Sequence, residues 1–422
     1  MSKKIAIIGT GISGLTCGYL LNKSNDITLF EANDYIGGHT ATVDVDFGDR
    51  RYAIDTGFIV FNDWTYPNFI KLMKQLGVAS QPTEMSFSVK NTAQNLEYNG
   101  NTINTLFAQR RNILRPKFIR IVRDILKFNK VCKAEHSKPS FADDATLGDL
   151  IQKHNLSDDF AQNYILPMCA AIWSSSLESV KGFPLRFFLQ FFMNHGLLNI
   201  TDRPQWYTLI GGSRSYIKPL TRDFSDKIHL NSGVQSVTRV ANGYQITSLN
   251  SALDGVYDEV IFACHSDQAL AMLQNPTAGQ NEVLGAIPYA DNEVVLHTDT
   301  DILPKRPLAW ASWNYMLEGG NDEQIAPATL TYDMNILQRI ESDTTFCVTL
   351  NATSKINPNK ILRTFNYAHP QFSEQTIAAQ QKRNQICGVD GVHFCGAYWY
   401  NGFHEDGLRS ALDVCERFGE SL

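Results

Sequence analysis

The chain of 422 residues is 43% hydrophobic, 11% aromatic and 19% charged, which excludes collagen-like, low-complexity and disordered classes. A formal charge of −6 excludes a generally basic nucleic-acid binder, and no apolar run reaches the length needed to cross a bilayer. One stretch breaks the acidic balance: residues 109–133 carry nine Lys/Arg against Asp124 alone, so this segment is +8 and the remainder, with 28 basic and 42 acidic residues, is −14.

The chain begins with Lys3-Lys4 and an apolar stretch to Leu21, the outline of a signal peptide. Its glycines fall at motif spacing, however, and no small-x-small cleavage pattern follows. The stretch is therefore read as mature structure and the protein is expected in the cytoplasm. Ile5-Ala6-Ile7-Ile8 predicts a strand buried on both faces, Gly9-Thr10-Gly11-Ile12-Ser13-Gly14 follows, and Leu15–Leu21 predicts a helix. In that order the first glycine permits a tight turn, the second admits a pyrophosphate to the backbone, and the third lets helix and strand pack closely. A second apolar run, Ile27–Phe30, ends at Glu31, seventeen residues after Gly14, where a carboxylate can accept bonds from a ribose diol. Gly37-Gly38-His39 comes next, then Ile54-Asp55-Thr56-Gly57-Phe58 on an apolar strand pattern.

From Pro116 a helical pattern places Phe118, Ile121, Val122, Ile125, Phe128 and Cys132 on one face, with Lys117, Arg120, Arg123, Lys127 and Lys130 opposite. Two readings fit this helix, 116–133: one lying in an anionic membrane interface, and one burying its apolar face in the protein core behind a solvated basic face. Phe183, Phe187, Phe188, Phe191 and Phe192 mark a second apolar helix near Pro184, read as core packing with an acyl-chain channel as the alternative. Gly211-Gly212-Ser213-Arg214 suggests a helix start, with a cap as the first reading and a phosphate or headgroup contact as the second. Val234 and Val237 belong to a strand ending in an Asn242-Gly243 hairpin turn, and Glu259–Ala263 is a buried strand. Val294–His297 and Thr329–Tyr332 are further strand candidates. At the C-terminus Val392–Ala397 reads as a strand ending in small residues, followed by Tyr398-Trp399 and a helix from about Asp406 to Phe418. Eight scattered cysteines without a C-x-x-C pair, and ten histidines without H-x-x-x-H spacing, predict no metal and suit a reducing compartment.

Glu31, the Gly37-Gly38 pair and the Asp55-Thr56-Gly57 segment, in this spacing, resemble the flavin-dependent amine oxidase and carotenoid desaturase superfamily. Asp55–Asn62, Ala170–Ser174, Asn194–Leu198, His297–Thr300, Ala309–Tyr315, Cys395–Trp399 and Gly402–Gly407 look like one bacterial subgroup associated with cyclopropane fatty-acyl phospholipid synthases, and the resemblance covers essentially the whole chain. It implies bound FAD and an α/β fold: a Rossmann-type, glutathione-reductase-like FAD domain with a helical and a strand-rich substrate insertion. The expected FAD domain is discontinuous, 1–62, 205–270 and 385–422, with a mostly helical substrate or membrane-facing insertion at 63–204 and a strand-rich substrate domain at 271–384. The residues expected at FAD are Gly9, Gly11, Ser13, Gly14, Glu31, Gly37, Gly38, His39, Asp55, Thr56, Gly57, Val237, Gly396, Asp406, Gly407 and Leu408. Two departures stand out: His39, where many relatives have Arg, and Ala397, where relatives often have an acid.

A helix N-terminus facing the flavin's pyrimidine edge favours the negative charge of the reduced ring. FAD performs the hydride chemistry, so the protein must position a C–H bond, exclude water and move a proton. His404 and Glu405 are the candidate proton movers, with Tyr398 and Trp399 as candidate walls of the substrate cavity. The alternative roles are a packed turn histidine and a helix-start acid. The expected function is an FAD-dependent oxidoreductase acting on a C–H bond of a hydrophobic substrate, an unsaturated or modified fatty-acyl chain of a phospholipid, by desaturation or isomerisation. An amine oxidase is the first alternative. The second is a non-catalytic flavin- and lipid-binding partner of a lipid methyltransferase.

Overall fold

In a computed structural model, describing residues 2–138, 145–320 and 324–422, five parallel strands form the sheet that organises the molecule. Their order is Ile228–His229, Asp26–Phe30, Lys4–Ile8, Glu259–Phe262 and Val392–Phe394. Lys4–Ile8 lies at the centre because Ile5, Ala6 and Ile7 are fully buried, each face covered. Each such aliphatic side chain withdrawn from water contributes roughly 1.5–3 kcal/mol before the entropy of ordering is subtracted. Helix Ile12–Leu21 covers one face, and helix His404–Glu416 lies beside it. The five strands come from four separate parts of the chain, so the sheet closes only when residues 4–30, 228–229, 259–262 and 392–394 assemble.

A second sheet has seven strands, in the order Ile361–Pro370, Tyr289–His297, Cys347–Leu350, Leu330–Asp333, Trp313–Leu317, Phe87–Asn91 and Leu96–Asn99. Its pairs are antiparallel except Trp313–Leu317 with Phe87–Asn91. It draws on both the 63–204 and the 271–384 segments. In a three-stranded sheet, Val234–Val240, Gly243–Ser248 and Gly255–Tyr257, the first two strands turn at Ala241-Asn242, one residue earlier than the expected Asn242-Gly243, because Gly243 already pairs with Val240.

The long helix Pro116–His136 starts at the proline, as its sequence predicts, and buries Phe118, Ile121, Phe128 and Cys132 in a core shared with helix Leu185–Asn194. The apolar face of the 116–133 helix thus belongs to the protein interior, which overturns a reading in which that face enters a membrane. Phe183, Phe188, Phe191 and Phe192 lie in the same core, while Phe187 keeps partial exposure. Among the described residues, no helix is long and apolar enough to cross a membrane. All eight cysteines are free.

Candidate functional site

The parallel strands deliver their C-terminal ends to one edge, the position where such sheets bind ligands. There Gly9 N donates to Phe30 O (2.8 Å), Ala263 N to Ile8 O (2.8 Å) and Cys395 N to Phe262 O (2.9 Å). Gly9 has φ +107°, and a Cβ on it would lie 2.6 Å from Ala263 O; a Cβ on Gly14 would run into Gly9 O. These two glycines therefore set the close approach of strand, turn and helix. Gly11 differs, because a Cβ there would meet no atom within 4 Å. Gly11 is also the helix N-cap, with no side chain capping it and no acid in the first turn. The first amides of helix Ile12–Leu21 consequently point out of the turn as donors, with the positive end of the helix behind them.

Around this turn the other expected residues collect. Gly37 N donates to Thr10 O (3.0 Å), and Gly38 approaches Gly11, a Cβ on it reaching 3.3 Å from Gly11 Cα. Glu31 is buried: one oxygen accepts from Thr10 N (3.0 Å) and Thr10 Oγ1 (2.5 Å), the other from Asn33 N and Nδ2 (both 2.9 Å). Ser13 Oγ donates to Gly407 O (2.8 Å), which locks the start of the first helix to the start of the last. Gly396 N donates to Ser410 Oγ (2.8 Å), and a Cβ on Gly396 would strike the Tyr398 ring. Asp406 accepts from Phe403 N (2.9 Å), and burial raises its pKa to about 7. Leu408 is fully buried in the core beneath. Val237 stands apart on the three-stranded sheet, paired with Ile246, its carbonyl accepting from Gln274 N (3.1 Å).

Asp55 does not offer its carboxylate to a cofactor. It is fully buried and accepts from Ser213 N (2.9 and 3.0 Å), Ser213 Oγ (2.9 Å), Thr42 Oγ1 (2.5 Å) and Gln338 Nε2 (2.8 Å). Burial outweighs these bonds and raises its pKa to about 6. Ser213 is consumed here, and Arg214 pairs with Asp44 (2.9 Å), so neither serves a phosphate or headgroup. Thr56 bonds Tyr367 OH (2.9 Å), and a Cβ on Gly57 would strike His39 O.

His39 sits in a pile of aromatic rings, 5.2 Å from Tyr367, 5.6 Å from His369 and 6.3 Å from His265 by centroids. Burial first, then His369 and His265, lower its pKa to about 3, and its Nε2 is a buried nitrogen without a partner among the described residues. His404 stacks face to face on Phe58, 3.8 Å and 8° apart, and its Nε2 bonds Tyr216 OH (3.0 Å), which bonds Thr40 Oγ1 (2.5 Å). Burial, then His39, lowers its pKa to about 3, so the ring is neutral near pH 7.

Two expected catalytic groups have other work. Glu405 accepts from Asn68 N (3.0 Å), Asn68 Nδ2 (2.7 Å) and Phe69 N (2.8 Å), capping helix Pro67–Leu76 from across the chain rather than carrying a proton. Tyr398 and Trp399 are 2% and 3% exposed and pack in the core, with the Arg383 guanidinium 5.2 Å over Trp399. They are not open cavity walls. Sequence reading missed Phe58, Tyr216, His265 and His369 as site residues. His265 had a signal, since it follows a buried parallel strand by three residues; the others meet only through long-range folding.

The profile of the flavin containing amine oxidoreductases matches residues 12–321. The chain belongs to that family. It is an FAD-dependent oxidoreductase of mixed α/β fold. This oxidoreductase is similar to the CLA-producing fatty acid isomerase from P. acnes, at 14% identity and TM-score 0.68 over 99% of this chain and 98% of that one. It is similar to cyclohexylamine oxidase from Brevibacterium oxydans IH-35A (13%, 0.68, 99% and 100%). A candidate protoporphyrinogen oxidase from Exiguobacterium sp. 255-15 matches at 15% identity and TM-score 0.70 over 99% of both chains. No curated protein sequence matches. At these identities the likeness shows the fold alone.

The residues of this oxidoreductase fit FAD. Gly11 leaves the space a pyrophosphate needs, the uncapped amides behind it suit an anion, and Glu31 ends the second strand beside them. His39 Nε2 supplies a buried polar atom still to be matched.

Proposed function

We propose that this oxidoreductase acts on a C–H bond of a hydrophobic substrate, an unsaturated or modified fatty-acyl chain, by desaturation or double-bond isomerisation. When bound, FAD supplies hydride acceptance or donation at N5. The observation that carries the reading is an aromatic wall joining the helical segment to the turn before His404. Phe191 stacks on Phe403 (5.2 Å) and on His195 (3.9 Å), Trp173 lies 4.7 Å from Phe191, and Phe187 stacks on Phe372 (5.2 Å). Phe403 precedes His404, whose ring lies on Phe58. Trp173, Phe191 and Phe372 are the buried backing of this wall, and Phe187 and Phe403 keep partial exposure at its edge; an apolar edge of this kind suits methylene groups and offers little to a charged substrate.

The acids beside this turn support the same choice. Glu405 and Asp406 are both engaged as helix caps, so neither is free to receive an ammonium group. His195, with its Nδ1 bonded to Phe191 O (2.9 Å) and its pKa lowered by burial to about 4, is a neutral ring in the wall. His404, held by Tyr216, is placed in this reading as a neutral hydrogen-bonding group that orients the turn, with Thr40 and Tyr216 behind it. The fatty acid isomerase among the similar folds is compatible with isomerisation.

The test is the acyl-chain profile of cells with and without this chain. Loss of one unsaturated, conjugated or otherwise modified acyl species, restored by the wild-type chain and not by one unable to hold FAD, supports the proposal. An unchanged profile overturns it.

A further inference from the structure

The basic segment finds no use in the flavin site, and the structure turns it outward. Helix Pro116–His136 buries its apolar side against helix Leu185–Asn194, with Phe128 6.0 Å from Phe188, so its cationic side is left at the surface. Lys117, Arg120, Arg123, Lys127, Lys130 and Lys133 are exposed there, together with Arg110 and Arg111 in the preceding turn. Among the described residues, none of them pairs with a carboxylate. Arg110 donates to Asn104 O, Asn104 Oδ1 and Phe107 O, Arg111 to Asn95 O, Lys127 to His154 O and Lys133 to Asn199 Oδ1, all uncharged acceptors. Asp124, the one acid of 109–133, turns inward to Ser157 N (3.0 Å) and Ser157 Oγ (2.5 Å).

Among these cations stand large aliphatic side chains in water. Leu114 is 86% exposed and Ile113 53%, both in the turn Arg110–Leu114, between Arg110/Arg111 and Arg115/Lys117. Ile103 is 80% exposed, on the short helix Ile103–Leu106 that the Arg110–Asn104 bond (2.7 Å) ties to the same turn. Leu126, 50% exposed, lies along the helix between Arg123 and Lys127. An aliphatic tip held in water is unfavourable unless something apolar receives it. A polyanion such as a nucleic acid would match the cations and leave the tips without purpose. A bilayer with anionic headgroups matches both, phosphates meeting the cations and the tips entering the acyl boundary.

We propose that the 103–133 elbow docks this protein on an anionic phospholipid bilayer, with Ile103, Ile113 and Leu114 entering the headgroup–acyl boundary and the exposed face of helix Pro116–His136 lying on the phosphates. The helix's own apolar face stays in the protein core. The docking rests on this surface alone and stands whether or not the flavin substrate is an acyl chain.

The test is flotation of the FAD-loaded protein with vesicles of phosphatidylcholine alone and of phosphatidylcholine with phosphatidylglycerol. Binding to the anionic vesicles is expected at least about tenfold tighter than to the neutral ones, and weaker at high salt. Replacing Lys117, Arg120, Arg123 and Lys130 together by Gln is expected to reduce anionic binding roughly tenfold or more. Leu114→Ser with Ile113→Ser removes the insertion and is expected to reduce it several-fold with the charge intact. Flavin absorbance and Tm serve as folding controls for both variants. Equal binding to the two vesicle types, no binding to either, or variants that float like wild type while correctly folded would each overturn the proposal.

Discussion

The hydroxyl of Ser13 donates to the carbonyl of Gly407, 2.8 Å away and 394 residues later in the chain. The bond joins the starts of two helices whose N-termini face the flavin site, and Gly407 leaves room for it, since a Cβ there would lie 2.9 Å from Ile12 Cγ2. Ser13→Ala removes this link, while Ser410 Oγ (2.8 Å) still donates to the same carbonyl. Urea unfolding is expected to show a loss of about 0.5–1.5 kcal/mol, and titration with FAD a weaker complex, because the two helix starts lose their mutual register.

Gly11 and Gly14 belong to one motif and fail in different ways. Gly11→Val adds a side chain where no protein atom lies within 4 Å, at an ordinary φ of −67°, so the apoprotein is expected to fold with unchanged Tm and to be colourless after purification with FAD. Gly14→Val drives a side chain into Gly9 O and is expected to abolish folding, read as loss of soluble protein or of cooperative melting. Flavin absorbance together with the apoprotein melt distinguishes the two.

Glu405→Ala tests a cap against a proton carrier. Removing the acceptor of Asn68 N and Phe69 N is expected to cost about 1–2 kcal/mol in denaturant unfolding. Turnover per folded molecule is expected to stay within a few-fold of wild type, with no change in the shape of the pH–rate profile. A loss of a hundredfold or more in kcat at full folding would return Glu405 to the chemistry.

The imidazole of His404 has a folded pKa of about 3 against an ordinary 6.5. The unfolded chain therefore binds the extra proton between these values. The stability tied to the neutral ring is fully present above about pH 6.5 and is lost as pH falls toward 3, at about 1 kcal/mol per pH unit. His404→Phe keeps a ring on Phe58 and cannot be protonated. Its acid unfolding midpoint, followed by circular dichroism, is expected below that of wild type, while His39 and His369, with pKa values near 3 and 4, maintain a residual acid sensitivity.

Local spacing made the cofactor half of the site legible. Gly9, Gly11, Gly14 and Glu31 occupy one short stretch whose strand, turn and helix follow from apolar runs and glycines, and each is found at the edge of the parallel sheet. Asp55, Glu405 and Tyr398 were harder to place, because sequence order says that they stand near the cofactor segments and nothing about which way they face. Asp55 turned out to bind Thr42, Ser213 and Gln338, and Glu405 to cap a helix 336 residues upstream. The amphipathic helix at 116 was legible as a helix from its wheel, yet the wheel cannot say whether protein or lipid covers the apolar stripe. Phe118, Phe128 and Cys132 in the core answer that, and Leu114 at 86% exposure, just outside the helix, is what no periodicity would pick out.

The most direct test of the account is anaerobic mixing of the yellow, FAD-loaded protein with unsaturated acyl phospholipids, and separately with aliphatic amines, while flavin absorbance is followed and products are identified by mass spectrometry. The account predicts bleaching by, or conversion of, the acyl lipid, including double-bond movement without net reduction, and no response to amines. Bleaching by amines alone, or lipid recovered unchanged with the flavin still oxidised, would contradict it.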